Sequence, residues 1–309
     1  MNNLKKVGLT ALGTALISST ASVAGDMSVT GSAIITFTGK DNTHSGNGWS
    51  MSDTMSFSGS GELDNGWTVS YSHAIDGGLN DANSITIDMG DSGSLTFAGL
   101  GGSGPVEAND DVMPTANEET WATVAGTVSG LADGSEGNNN FTYTLPTLLD
   151  GLALEVFHQP ADAAQGSSTE YEAVYTGVEN LTLGYAGGDN EDSLTNTIEN
   201  TILYAKYTMD SFTFGYQTNE EDEESTNADT DFTAWGISYA VSDELSVSIG
   251  QSETEHENTS LVDQEAQAVS FSYVSGGMTI GGSMHDVDNV GGSASVNNSG
   301  YELNVTFAF

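Results

Sequence analysis

Tyr301-Glu-Leu-Asn-Val-Thr-Phe-Ala-Phe309 alternates apolar and polar residues without a break. Tyr301, Leu303, Val305, Phe307 and Phe309 share one parity; Glu302, Asn304, Thr306 and Ala308 share the other. Successive side chains of a strand point to opposite faces, so this stretch reads as a strand with one greasy face and one wet face. Lipid on one side and water on the other suit it better than the end of a soluble sheet.

The same period of two recurs along the chain. Val29, Ala33, Ile35 and Phe37 alternate with Ser28, Thr30, Ser32 and Thr36, and Trp67, Val69 and Tyr71 with Thr68, Ser70 and Ser72. Strands are predicted near 28–37, 53–63, 67–72, 82–89, 94–98, 139–145, 152–158, 169–176, 181–186, 200–209, 211–218, 231–240, 245–252, 265–274, 278–285 and 299–309. Tight turns such as Asp64-Asn65-Gly66, Asp150-Gly151 and Glu179-Asn180 alternate with long polar stretches at 39–52, 76–81, 99–138, 159–168, 187–199, 219–230, 253–264 and 286–298. Short turns at one end and long loops at the other point to an all-β fold, a transmembrane antiparallel up-and-down barrel of sixteen strands. A soluble sandwich would also alternate, but it needs no such sorting. Tyr71, Tyr143, Tyr175, Tyr185, Tyr207, Tyr239 and Tyr301 fall near strand ends at outward parity, where aromatic girdles belong.

Lys5 and Lys6, the apolar run from Val7 to Ser18 and the small residues Ser22-Val23-Ala24 have the layout of a signal peptide. Residues 1–24 are expected to be removed and residues 25–309 to form the barrel. After that cleavage only Lys40 and Lys206 stand against 44 acids, and the chain has no arginine and no cysteine. Phosphate-backbone binding depends on Lys and Arg, so nucleic acid is excluded as a partner. Thiol catalysis and thiolate metal sites are excluded as well. The aromatic alternation argues against disorder despite the charge.

The chain resembles Gram-negative general porins of the alphaproteobacterial type. The resemblance covers the leader, the mature start Gly25-Asp26-Met27-Ser28-Val29-Thr30-Gly31, the segment from Ser58 to Tyr71 with its Asp64-Asn65-Gly66 turn, and the terminal strand. It implies a homotrimer in the outer membrane of a Gram-negative bacterium, in contact with outer-membrane lipid and passing small hydrophilic solutes. It also implies that Phe309 is the signal read by the barrel assembly machinery, and that the third external loop folds into the lumen as a constriction.

Residues 99–138 occupy that loop position, and a connection this long is usually functional. Its acids Glu107, Asp110, Asp111, Glu118 and Glu119, with Trp121 as an anchor, are the expected pore constriction. Asn117 to Val124 is expected to make a helical turn capped by Asn117. At lumen parity the wall adds Glu62, Glu155, Glu170, Glu172 and Glu302, with Lys206 as its cation. Resembling porins face their acidic loop with arginines, and this chain has none to offer. A cation-selective channel for passive diffusion is therefore expected. Two alternatives stand beside it: a structural or adhesive barrel with a plugged lumen, and a substrate-specific channel stacking a solute on Tyr204 and Phe157.

No enzyme is expected. His44, His73, His158, His256 and His285 lie mostly in or beside predicted loops, and no Gly-x-Ser-x-Gly elbow occurs. No cofactor is expected either. The acidic run Asn219 to Asp231 lacks the spacing and glycine of a defined calcium loop, which leaves only weak Ca2+ or Mg2+ binding by acidic loops.

Overall fold

The computed structural model describes residues 27–40, 47–122, 132, 134–163, 165–193, 196–224 and 229–309. The expected leader and the last two residues of the expected helical turn, Thr123 and Val124, lie outside them. Sixteen strands form one closed antiparallel barrel. They are β1 (Met27–Lys40), β2 (Trp49–Glu62), β3 (Thr68–Asp76), β4 (Leu79–Asp88), β5 (Ser94–Leu100), β6 (Asn140–Thr144), β7 (Leu152–Gln159) and β8 (Ser168–Val178), followed by β9 (Leu181–Ser193), β10 (Asn196–Met209), β11 (Phe212–Glu223), β12 (Thr230–Ala240), β13 (Leu245–His256), β14 (Gln264–Ser275), β15 (Met278–Asp288) and β16 (Asn298–Ala308). Each pairs with its sequence neighbours, and β16 closes on β1. Closure leaves no strand edge unpaired, which a lipid-exposed sheet requires.

The closing register pairs Ala33 with Phe307, Ile35 with Val305 and Phe37 with Leu303, all outward. Gly31 and Phe309 exchange two backbone hydrogen bonds of 2.8 and 2.9 Å, so the terminal phenylalanine extends the ladder. The outward parity carries the apolar band, with Val29, Ile85, Val156, Leu183, Leu203, Ile249, Val269 and Leu303 all exposed. Tyr143, Tyr175, Tyr207, Tyr239 and Tyr273 lie near the short-turn ends of their strands. At that rim Phe212 stacks on Tyr239 with ring centroids 4.5 Å apart. Asn180 and Asp210 occupy the left-handed region at φ 62° and 53°, which lets two of the short turns close.

Three expectations about connections need correction. The stretch 76–81 is not a long loop, because Gly77-Gly78 joins β3 directly to β4. The stretch 187–199 is largely strand, since β9 and β10 continue to Ser193 and from Asn196. The acidic run begins as strand too: Glu220 to Glu223 belong to β11 and pair with Ile198 to Thr201. These strand ends rise beyond the lipid, where both faces meet water and no apolar alternation is needed. Their outward side carries acids in cross-strand register. Asp189 faces Glu199, Glu199 faces Asp222, Asp231 faces Glu220 and Glu255, and Glu265 faces Glu253 and Asp288.

Candidate functional site: the lumen and its infolded loop

The connection between β5 and β6 enters the barrel. Its limbs first pair as a short ladder, Gly102–Ser103 with Glu136–Gly137. The chain then forms α1 (Pro105–Asn109), opened by Pro105 at its first turn, where a missing N–H costs nothing. Val106 is fully buried against Ala132, Ala186, Ile202 and Tyr204, an apolar cluster that seats the loop on β9 and β10. The only α-helix among the described residues is α1; at 117–122 there is a single turn, with Ala122 N donating to Glu119 O at 3.4 Å. Asn117 does not cap; its Oδ1 accepts from Asn304 Nδ2 at 3.1 Å.

From α1 the loop runs along the wall from β8 round to β16, and polar lumen residues hold it strand by strand. Glu172 accepts from Asn109 Nδ2 at 3.1 Å. On β11, Gln217 accepts from Val112 N at 3.0 Å and donates to the carbonyls of Asn109 and Asp110 at 2.9 and 2.6 Å. Asn219 adds a bond to Asp110 O at 2.9 Å. Ser248 and Ser270 take the N–H groups of Ala116 and Asn117 at 2.9 and 3.2 Å. Thr120 meets Ser252 at 2.8 Å, and its carbonyl accepts from His285 Nδ1 at 3.1 Å. Trp121 packs edge-on against Phe232 with centroids 5.5 Å apart.

The wall under this path is built for close approach. A Cβ at Gly215 would collide with Pro114, and one at Gly281 with Asn117. The opposite wall, β1 to β6, carries hydroxyls. Ser60, Ser70, Thr86, Thr96 and Thr142 form one lateral row, and Ser28, Ser58, Ser72 and Ser84 another. Within them Ser28 and Ser58 bond at 2.6 Å and Thr86 and Thr96 at 2.8 Å.

The predicted acids separate into different environments. Glu107, Asp110, Asp111, Glu118 and Glu119 all lie on the infolded segment. Burial, with Asp111, Glu107 and Glu119 nearby, raises the Asp110 carboxyl to about 7. Burial and Glu119 raise Asp111 to about 6. Burial, then Glu302 and Glu119, raise Glu118 to about 7. On the wall, Glu62 lies at the short-turn end of β2, and Glu155 accepts from Thr144 Oγ1 at 3.1 Å. Lys206 lies 5.4 Å from the ring centre of Tyr204.

Glu170 keeps the lumen parity expected of it but does not face water. It is fully buried beneath the loop, and its two oxygens accept from Val106 N at 2.8 Å and Ser135 N at 2.5 Å. Phe157 and Tyr204 are not solute platforms either, because both are buried. Lumen parity was legible for all three, but the loop that covers them belongs to a distant stretch of sequence. Gln217, Asn219, Ser248, Ser270 and His285, which hold the loop, were missed for the same reason. Their one signal was polar residues at inward parity. Among the described residues no group of three or more His, Asp or Glu is arranged to hold a metal ion.

A closed sixteen-stranded barrel with a loop bound inside is matched at the level of sequence family: the profile described as Gram-negative porin covers residues 8–256. The chain belongs to the Gram-negative porin family. Among curated proteins no sequence matches this porin significantly. Among solved structures, the anion-selective porin from Comamonas acidovorans aligns with a TM-score of 0.69 at 14% identity, covering 92% of this chain and 100% of that one. The trimer form of OmpT from Vibrio cholerae aligns at 0.68 and 12%, covering 93% and 100%. A mutant of the Rh. blastica porin aligns at 0.62 and 16%, covering 92% and 100%. These identities establish the shared fold. The porin is an outer-membrane protein of a Gram-negative bacterium and a channel for passive diffusion.

Proposed function

We propose that this porin is a cation-selective channel for small hydrophilic solutes, with the infolded loop as its constriction. One observation carries the reading: acids crowd the infolded loop and Glu302 beside it, while the β1 to β6 wall carries neutral hydroxyls, in a chain without arginine. Fixed negative charge raises the local concentration of cations and lowers that of anions, most where the passage is narrow. The Comamonas porin has this fold and is anion-selective, so the fold alone does not make a channel cation-selective. Reversal potentials across a planar bilayer separating unequal KCl solutions test it. A potential of the sign set by K+ is expected, and the sign set by Cl− would refute the reading.

The functional unit in this proposal is a homotrimer, matured by cleavage after Ala24 and delivered by the barrel assembly machinery through Phe309. The outward face of β2 to β4 supports the trimer. Asp53 shares the outward parity of Met55, and His73 lies opposite both Phe57 and Asn83. Asp and His side chains suit a protein neighbour better than lipid, so this outward face fits a subunit contact. Light scattering of the detergent-solubilised porin would return three copies; a single copy would refute the trimer. Calcium and magnesium are expected to bind only weakly and diffusely, at the acidic outer ends of β9 to β15.

A further inference from the structure

We infer that Glu170 is the positioning residue of the constriction, a single carboxylate that clasps both limbs of the infolded loop to β8. The descending limb reaches it through Val106 N at 2.8 Å and the returning limb through Ser135 N at 2.5 Å, one limb to each oxygen. The limbs also meet each other directly, where Gly104 N donates to Ser135 O at 2.7 Å. Both limbs are thus fastened at one neck, with the rest of the loop beyond it. Glu170 is fully buried, and a buried carboxylate needs this kind of partner: two N–H groups aimed at its oxygens.

Two glycines complete the seat. Gly104 lies so close to the carboxylate that a Cβ there would collide with it, although its own φ of −81° suits any residue. On the wall, Gly188 leaves room for the Glu170 stem, since a Cβ there would meet Glu170 Cα at 2.6 Å and Cγ at 3.0 Å. Gln217 and the serines farther along bind the loop beyond the neck, and their bonds all go to the descending limb. Replacing Glu170 by Gln puts an amide N–H against a backbone N–H, so one limb loses its acceptor while the other keeps one.

The inference rests on the loop being the constriction, and two readouts on the intact porin keep the two claims apart. Amide hydrogen exchange over residues 105–122 and 134–137 reports the clasp; single-channel current in KCl reports the constriction. In Glu170→Gln, exchange in these segments is expected to rise at least about tenfold, with current flickering between substates. Gly104→Ala, which crowds the carboxylate from the loop side and leaves the barrel wall untouched, is expected to do the same. It decides the matter if Glu170→Gln does not fold. Glu155→Gln alters a lumen-wall carboxylate whose hydrogen bond goes to Thr144 of the neighbouring strand, and is expected to leave exchange unchanged. Unaltered exchange in both clasp variants overturns the inference. Faster exchange with a steady, unaltered current instead refutes the constriction reading and leaves the clasp standing.

Discussion

Raising the pH from 5 to 8 should strengthen cation preference through three loop acids. Asp110 and Glu118 titrate at about 7 and Asp111 at about 6, so all three are largely neutral at pH 5 and largely ionised at pH 8. The titration adds roughly 2.7 negative charges to the infolded loop. A unit charge about 7 Å from a passing ion contributes about 0.6 kcal/mol in water, and ionic screening at 0.1 M roughly halves that. The added charges then total about 0.8 kcal/mol, or about a fourfold rise in local cation concentration with a matching fall for anions. All three groups are partly solvated, so the screened figure is the relevant one. The assay is the reversal potential in a fixed KCl gradient at both pH values. The triple variant Asp110→Asn, Asp111→Asn, Glu118→Gln should hold its potential nearly constant between them. An unchanged wild-type potential, or a full pH response in the triple variant, would refute the reasoning.

The same acids tie loop docking to pH. Their carboxyls titrate above the ordinary range when docked, so the docked loop holds protons that a free one would release, and its stability falls as pH rises from about 4 to about 7. Hydrogen exchange of residues 110–121 should therefore be faster at pH 8 than at pH 5 after correction for intrinsic rates. Gly215→Leu should expel the segment around Pro114, an overpacking cost of about 1–3 kcal/mol that appears as altered conductance in a barrel of unchanged thermal stability. Phe309→Ala should lower the yield of assembled barrel on unheated gels, while channels that do insert keep wild-type conductance. Salt or Mg2+ should raise the melting temperature by screening the outward acids that face each other from β9 to β15, and a chelator should reverse only the Mg2+ effect.

Much of the barrel was legible because lipid imposes a simple rule on each strand. Tyr301 to Phe309 needed only parity to reveal its two faces, and its pairing with Ala33 to Phe37 followed from closure. Strand ends beyond the lipid escaped the same reading. Residues 189–191 and 219–223 are polar at both parities, so no period of two marks them as strand. The site was legible in composition and not in contact. The loop acids and Trp121 were recognisable, but nothing near Glu170 announces that Val106 and Ser135 come to it from 64 and 35 residues away.

By itself, the sequence determined the crossing by strands, the inward and outward parity, the barrel closed by its last strand, and an excess of negative charge with no arginine to oppose it. These are properties of short windows or of totals, and local chemistry decides them. Only the tertiary structure decided which inward carboxylates face water and which serve the loop. Glu155 and Glu170 look alike in sequence, both acids at inward parity on lumen strands. A loop that crosses from β8 to β16 buries Glu170, and that path depends on glycines, serines and amides set on many different strands. Their cooperation exists only once the barrel has closed, and no single stretch of the chain records it.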